Sequence, residues 1–157
     1  MNSAKRHVLL IMSVLLFTGI MGCGRASSSA VHDVSEIVSL SISCGNMDIR
    51  YEYAFFAERT EDGWLLDAEC YTDDFEVETK LVDKELGAED VEELLGIIES
   101  NGLIGRAENY RKPKRSPAAD AAAYGFAMRF SDDTQYVMYE EQRELTEFFY
   151  RAAEKYN

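Results

Sequence analysis

Between residues 37 and 44 the chain alternates. Val38, Leu40, Ile42 and Cys44 fall on one side of an extended segment, and Ser39, Ser41 and Ser43 fall on the other. That period predicts a strand with one buried face. Gly45-Asn46 begins a turn. Residues 51–58 are rich in aromatics and predict a second strand. The run Thr60-Glu61-Asp62-Gly63 predicts a tight turn. Residues 64–71 follow as a third strand, with Trp64, Leu66, Ala68 and Cys70 on one side, and residues 76–82 add a fourth, ragged one. The spacing then changes. Over residues 89–100, Val91, Leu94, Leu95 and Ile98 recur at helical intervals as one apolar stripe. Glu89 and Asp90 sit in the first turn, where carboxylates favour the positive end of the helix dipole. Asn101-Gly102 is a stop signal.

The second half repeats this alternation on a smaller scale. Tyr124, Phe126, Met128 and Phe130 interleave with Gly125, Ala127 and Arg129, which predicts a strand. Ser131-Asp132-Asp133 turns the chain, and residues 134–139 return as the last strand. Residues 141–156 place Leu145, Phe148, Phe149, Ala152 and Tyr156 on one helical face. The order β-β-β-(β)-α-β-β-α predicts an α+β fold, one antiparallel sheet with two helices packed on one face.

The first residues follow neither period. Lys5 and Arg6 open the chain, residues 8–21 carry no charge and are mostly apolar, and Gly22 stands directly before Cys23. Charged, apolar and small-residue regions in that order make a secretory signal peptide. The apolar run is nearer 15 residues than the roughly 20 a membrane span needs. Ile20-Met21-Gly22-Cys23 resembles the lipobox of bacterial lipoproteins. The resemblance implies cleavage before Cys23 and a diacylglyceryl group on its thiol, with palmitate-type acyl chains in the membrane. Two acyl chains give stable anchoring where one gives marginal binding, at about 0.8 kcal/mol per buried CH₂. The expected organisation is a signal peptide over 1–22, the lipidated cysteine and a flexible Ser-rich tether over 23–33, and one globular domain over 34–157. The expected location is the extracytoplasmic face of the cell membrane. The whole order of elements is loosely similar to that of small lipoproteins of Gram-positive bacteria, a likeness that carries no active site and gives a role to Cys23 alone.

Charge sharpens this picture. The 157 residues hold 16 basic and 29 acidic side chains. Loss of Lys5 and Arg6 with the signal leaves 14 basic side chains against 29 acidic, a net −15. Such a chain repels nucleic acid and anionic headgroups, and export removes it from nucleic acid in any case. No nucleic-acid partner is expected. An exported cysteine pair can form a disulfide. Cys44 and Cys70, however, fall on the first and third predicted strands with another between. A two-strand gap approaches about 10 Å, beyond disulfide reach, so two buried thiols are expected.

Candidate chemistry is sparse. His7 leaves with the signal and His32 lies in the predicted tether, where it reads as a solvated residue, so no general base is expected within the fold. The acid pairs Asp73-Asp74, Glu92-Glu93, Asp132-Asp133 and Glu140-Glu141 read as solvated surface. Adjacent strand residues point to opposite faces and do not supply a carboxylate pair across a cleft. No zinc, EF-hand or phosphate-cradle spacing is present, and neither catalytic residue, metal nor cofactor is expected. Tyr51, Tyr53, Phe55 and Phe56 can line a ligand groove or, more commonly for a strand, fill a core. One anomaly stands out: a basic loop from Arg106 carries Arg111, Lys112, Lys114 and Arg115, punctuated by Pro113 and Pro117. It reads either as a contact for an anionic partner, such as membrane phosphate or an acidic wall polymer, or as a counterweight to the acidic helices.

The expected function is a non-enzymatic binding, sensing or assembly module, anchored to the membrane through lipid on Cys23 and serving a protein or an anionic wall polymer. The alternative is an inhibitor or immunity-type domain that blocks an exported enzyme with acids such as Glu92 and Glu93. A carboxylate hydrolase ranks below both.

Overall fold

The computed structural model describes residues 32–45, 51–71, 76–111 and 123–157. Cys23, the turn at Asn46, the pair Asp73-Asp74 and the basic residues Lys112, Lys114 and Arg115 lie outside the described residues.

The fold is α+β, with a single six-stranded antiparallel sheet. The strands are β1 (Ile37–Gly45), β2 (Tyr51–Arg59), β3 (Trp64–Tyr71), β4 (Val77–Glu85), β5 (Ala123–Phe130) and β6 (Gln135–Met138). Their order across the sheet is β4-β3-β2-β1-β5-β6. The helices are α1 (Ala88–Ser100), α2 (Leu103–Glu108) and α3 (Arg143–Tyr156), and a single 3-10 turn, Val34–Glu36, precedes β1.

Alternation decides which face is covered. Leu40, Ile42, Phe55, Ala57, Leu66, Ala68, Phe126 and Met128 are buried on one face. Against them α1 brings Leu94 and Ile98, α2 brings Leu103 and Ala107, and α3 brings Leu145, Phe148, Phe149, Ala152 and Ala153. The Phe55 ring stacks on Phe149 with centroids 5.3 Å apart. The residues between them along the strands face the other way and are half-buried.

Three local outcomes differ from the sequence pattern. Ile37, not Val38, fills the first inward position of β1, because the pairing with β5 shifts between Ile37 and Ser39. Gly102 does stop α1, in the left-handed conformation at φ 58° that favours glycine. The chain then re-enters a helix at once, and α2 takes Arg106 out of the expected basic loop and pairs it with Glu140 at 2.6 Å. The ragged fourth strand runs to Glu85 with register shifts on both sides of Ala68 and Cys70, and Asp83 sits at φ 53°. Such irregularity, together with the exposed Glu78, Lys80, Lys84 and Glu85, discourages further pairing at a sheet edge.

Candidate functional site

Reactive groups converge at one place, the end of the sheet where β1 stops and β2 begins. Cys44 pairs with Tyr53, and Tyr53 pairs with Cys70, so the tyrosine stands between the two thiols in one row across three strands. Both cysteines are free and buried. Burial pushes the Cys44 thiol up to about 11, helped by the charge of Glu52, whose Oε2 lies 3.7 Å from the sulfur. Burial likewise pushes Cys70 up to about 11, with Glu78 adding to it. The Tyr53 and Tyr150 hydroxyls are raised to about 12, again mainly by burial. The Tyr53 hydroxyl lies 3.3 Å from Thr146 Oγ1. All four groups therefore hold their protons at neutral pH. A protonated thiol is a poor nucleophile. This cluster is packing chemistry.

His32 departs from expectation. Instead of standing in solvent, its side chain is only 8% exposed. The ring stacks on Phe130 at 4.2 Å and meets the edge of Tyr136 at 5.8 Å. Nδ1 is 3.6 Å from Glu36 Oε2, and Nε2 is 3.9 Å from Asp132 Oδ2. The neighbouring Asp33 explains why: it closes a capping box, accepting from the Ser35 backbone while its own N–H donates to Glu36 at 2.7 Å. Asp33-Val34-Ser35-Glu36 carried that signal in the sequence. The box turns the chain so that the imidazole falls on Phe130. The arrangement fastens the start of the domain, with the imidazole set between Phe130, Tyr136, Glu36 and Asp132.

Among the described residues no group of three or more His, Cys, Asp or Glu side chains is placed to hold a metal ion. No described helix is long and apolar enough to cross a membrane.

Among the described residues two surfaces stand out for binding. One is the uncovered face of the sheet. Ser41 pairs with Phe56 on one side and Ala127 on the other, Phe56 pairs with Asp67, and Ala127 with Val137, giving one row of half-buried side chains across five strands. The next row holds Gly125, Ser43, Ala54 and Glu69. A Cβ on Gly125 would lie 2.9 Å from Ser43 Oγ, so the floor is close-packed there without side chains. Arg129 marks one border, donating to Ser39 Oγ and standing 3.7 Å from Glu58. Among the described residues no element packs over these rows. Their small central residues make a floor and Phe56 and Val137 make apolar sides, which suits a partner laid flat on it.

The other is an open groove of about 400 Å³ between the 3-10 turn, the β2–β3 turn and α1. Trp64, Val91 and Leu95 line its apolar side, and Arg59, Glu61 and Asp62 its polar rim. Arg59 is already engaged, donating to Ser35 O at 2.7 Å. The volume is at the low end for a small-molecule site.

Of the four basic residues singled out in the sequence, Arg111 alone is described. It is exposed and donates to the Tyr110 carbonyl. Of the acids, Glu92 is exposed, whereas Glu93 is paired with Arg151. Three of the four aromatics of β2 divide: Tyr53 and Phe55 fill the core, and Phe56 turns to the uncovered face, while the side chain of Tyr51 lies outside the description. Nothing in the alternation says whether a second face meets solvent or a partner.

In comparison with known proteins, the chain matches no family model, no curated protein and no solved structure.

Proposed function

We propose that this protein is a lipid-anchored, extracytoplasmic lipoprotein that works as a non-enzymatic binding module and presents the uncovered face of its sheet to a partner. The carrying observation is Cys23 directly after Gly22 at the end of an uncharged apolar run. Two features of the domain support the reading. Its buried thiols and tyrosines stay protonated at neutral pH, and its uncovered face is floored by small side chains with Phe56 and Val137 beside them. Lipid on Cys23 supplies the membrane contact, and the partner is a protein or an anionic wall polymer. The test is mass spectrometry of the native protein taken from membranes, followed by crosslinked pull-down. A mature chain beginning at diacylated Cys23, with a partner captured by the wild type and lost in Ala127→Glu, is expected. An unmodified cysteine or a start downstream of it overturns the anchor.

An inhibitor or immunity-type role is the second reading. It is favoured by α1, whose Glu89, Glu92 and Glu99 are exposed while Asp90 and Glu93 pair with Lys155 and Arg151 of α3. Charge reversal at Glu92 should then slow association with the target enzyme. Unchanged association counts against it.

A further inference from the structure

The domain has two ends, and the chain enters at one of them. His32 is stacked on Phe130, the Ser131 N–H donates to Glu36 O at 2.9 Å, and Arg59 donates to Ser35 O at 2.7 Å. The entry point is thus tied to the β5–β6 turn and to the end of β2. Residues 60–63 and 131–134, the two tight turns, lie at this same end, because Ile37 pairs with Phe130 and Ser39 with Glu58. The opposite end holds Gly45, paired with Tyr51 and Ala123, and the Tyr71–Val77 pair.

The entry end is acidic. Asp33, Glu36, Glu61, Asp62, Asp132 and Asp133 are all exposed there. Of the cations there, Arg59 is engaged by the Ser35 carbonyl and Arg129 by Glu58 and Asp133. Hydrogen bonds favour the anionic form of two of the acids. Asp33 is held below its ordinary 3.8 by the Ser35 backbone, and Asp132 by the Thr134 backbone and hydroxyl.

From Cys23 to His32 the chain advances nine residues, which span at most about 30 Å. A nine-residue strand such as β1 is itself about 30 Å long. On the anchored reading, which this step rests on, the entry end stays within about 30 Å of the bilayer, and the opposite end lies one strand length from the entry end. We infer that the lipidated protein stands end-on over the membrane, with the turns at 60–63 and 131–134 toward the headgroups and the Gly45–Ala123 end outward. The acidic entry end cannot adhere to anionic headgroups, so it stands off within the tether's reach. That repulsion is screened over roughly 8 Å at physiological salt. Tyr110, whose ring meets that of Tyr139 just past β6, belongs to the outward end, and Arg111 donates to its carbonyl.

The experiment uses the full lipidated chain on vesicles of phosphatidylcholine, with and without one part in four of phosphatidylglycerol. A fluorophore is placed singly by Glu61→Cys or Ser131→Cys at the entry end, and by Val77→Cys or Glu141→Cys at the other. The native Cys44 and Cys70 are buried and slow to label. Energy transfer to an acceptor on the lipid headgroup is then read. Both entry-end labels should give several-fold more transfer than both far-end labels. Their transfer should fall when phosphatidylglycerol is added at low salt and recover in high salt. Equal transfer from the two ends, or more from Val77→Cys and Glu141→Cys, overturns the orientation. Flotation of the same samples separates this from failure of the anchor: wild type that floats, against Cys23→Ser that does not, establishes attachment whatever the transfer ratio. Wild type that stays in solution overturns both.

Discussion

Tyr156 accepts a hydrogen bond from the Gly87 backbone at 2.7 Å, tying the last turn of α3 to the first turn of α1 across 69 residues of sequence. Gly87 is the N-cap of α1 and has no side chain with which to cap it. The tyrosine hydroxyl instead satisfies the cap residue's own N–H, one of the donors left over at a helix start, and it also donates to Asp90, in the first turn of the same helix. Tyr156→Phe removes both bonds and keeps the ring. The expected loss is about 1 kcal/mol, read as a lower urea midpoint at unchanged slope, with faster hydrogen exchange confined to the start of α1.

Asp90 makes that junction sensitive to acid. Burial alone would raise its carboxyl, but the hydrogen bonds of Lys155 and Tyr156, with the lysine's charge, outweigh it and hold Asp90 below the ordinary 3.8. A carboxylate depressed in the folded state contributes stability that is present above 3.8 and is lost as pH falls through its folded value. Asp90→Asn should therefore cost about 1 kcal/mol at neutral pH. Its thermal midpoint should also fall less steeply than that of the wild type below pH 4. Parallel acid limbs would remove Asp90 as the source.

The alkaline limb has the opposite sign. Cys44 and Cys70 rise from 9.0 to about 11, and Tyr53 from 10.0 to about 12. The folded protein keeps these protons where the unfolded chain has lost them. The thiols' contribution is complete below pH 9 and is lost as pH climbs to about 11, and that of Tyr53 is lost between pH 10 and about 12. Midpoints measured from pH 8 to pH 11 should fall, and Cys44→Ala/Cys70→Ala should flatten part of that fall. The same burial predicts no rapid reaction of either thiol with a disulfide reagent at pH 8, and complete reaction in denaturant.

Phe55 is the centre of the aromatic packing. It stacks on Tyr53 and on Phe149 and meets the edge of Tyr150, with centroids 5.3 to 5.4 Å apart. Phe55→Ala leaves a hole under α3 and should cost about 3–5 kcal/mol. Phe55→Leu should recover most of it. The pair is measured by denaturant unfolding.

Much of this architecture was legible in the period of the sequence. β1, β2, β3, α1 and α3 follow from alternation and from the apolar stripes, because each element has to bury one face. The placement of β2 between the two cysteine strands followed from short antiparallel connections, and Tyr53 in register with both is its consequence. The short helix α2 was not legible. It has a single turn and a half, Gly105 in its middle, and a Pro-punctuated basic run soon after it, so local composition argued for loop. Packing of Leu103 and Ala107 against the core decided the outcome. His32 was misjudged for a related reason. Its Ser-rich N-terminal neighbourhood suggested a tether, yet the capping box one residue later fixes the ring on Phe130. Binding surfaces are harder still, because half-burial of Ala54 or Ala127 depends on what does not cross the sheet.

The uncovered face gives the sharpest functional test, because stability and binding separate there. Ala127 sits between Ser41 and Val137 in the row that includes Phe56. It is half-buried, with small residues around it and no helix above it among the described residues. A glutamate at this position can extend into solvent without displacing the core, so Ala127→Glu should change folding stability by no more than about 1 kcal/mol. A partner that lies flat on the face would instead meet a buried, unpaired carboxylate, which costs several kcal/mol at an interface. Partner capture should therefore fall at least 100-fold, while Glu92→Lys, on the far side of α1 from the sheet, leaves it unchanged. If the order is reversed, with capture insensitive to Ala127→Glu and lost on charge reversal at Glu92, the helical face is the working surface and the inhibitor reading takes over.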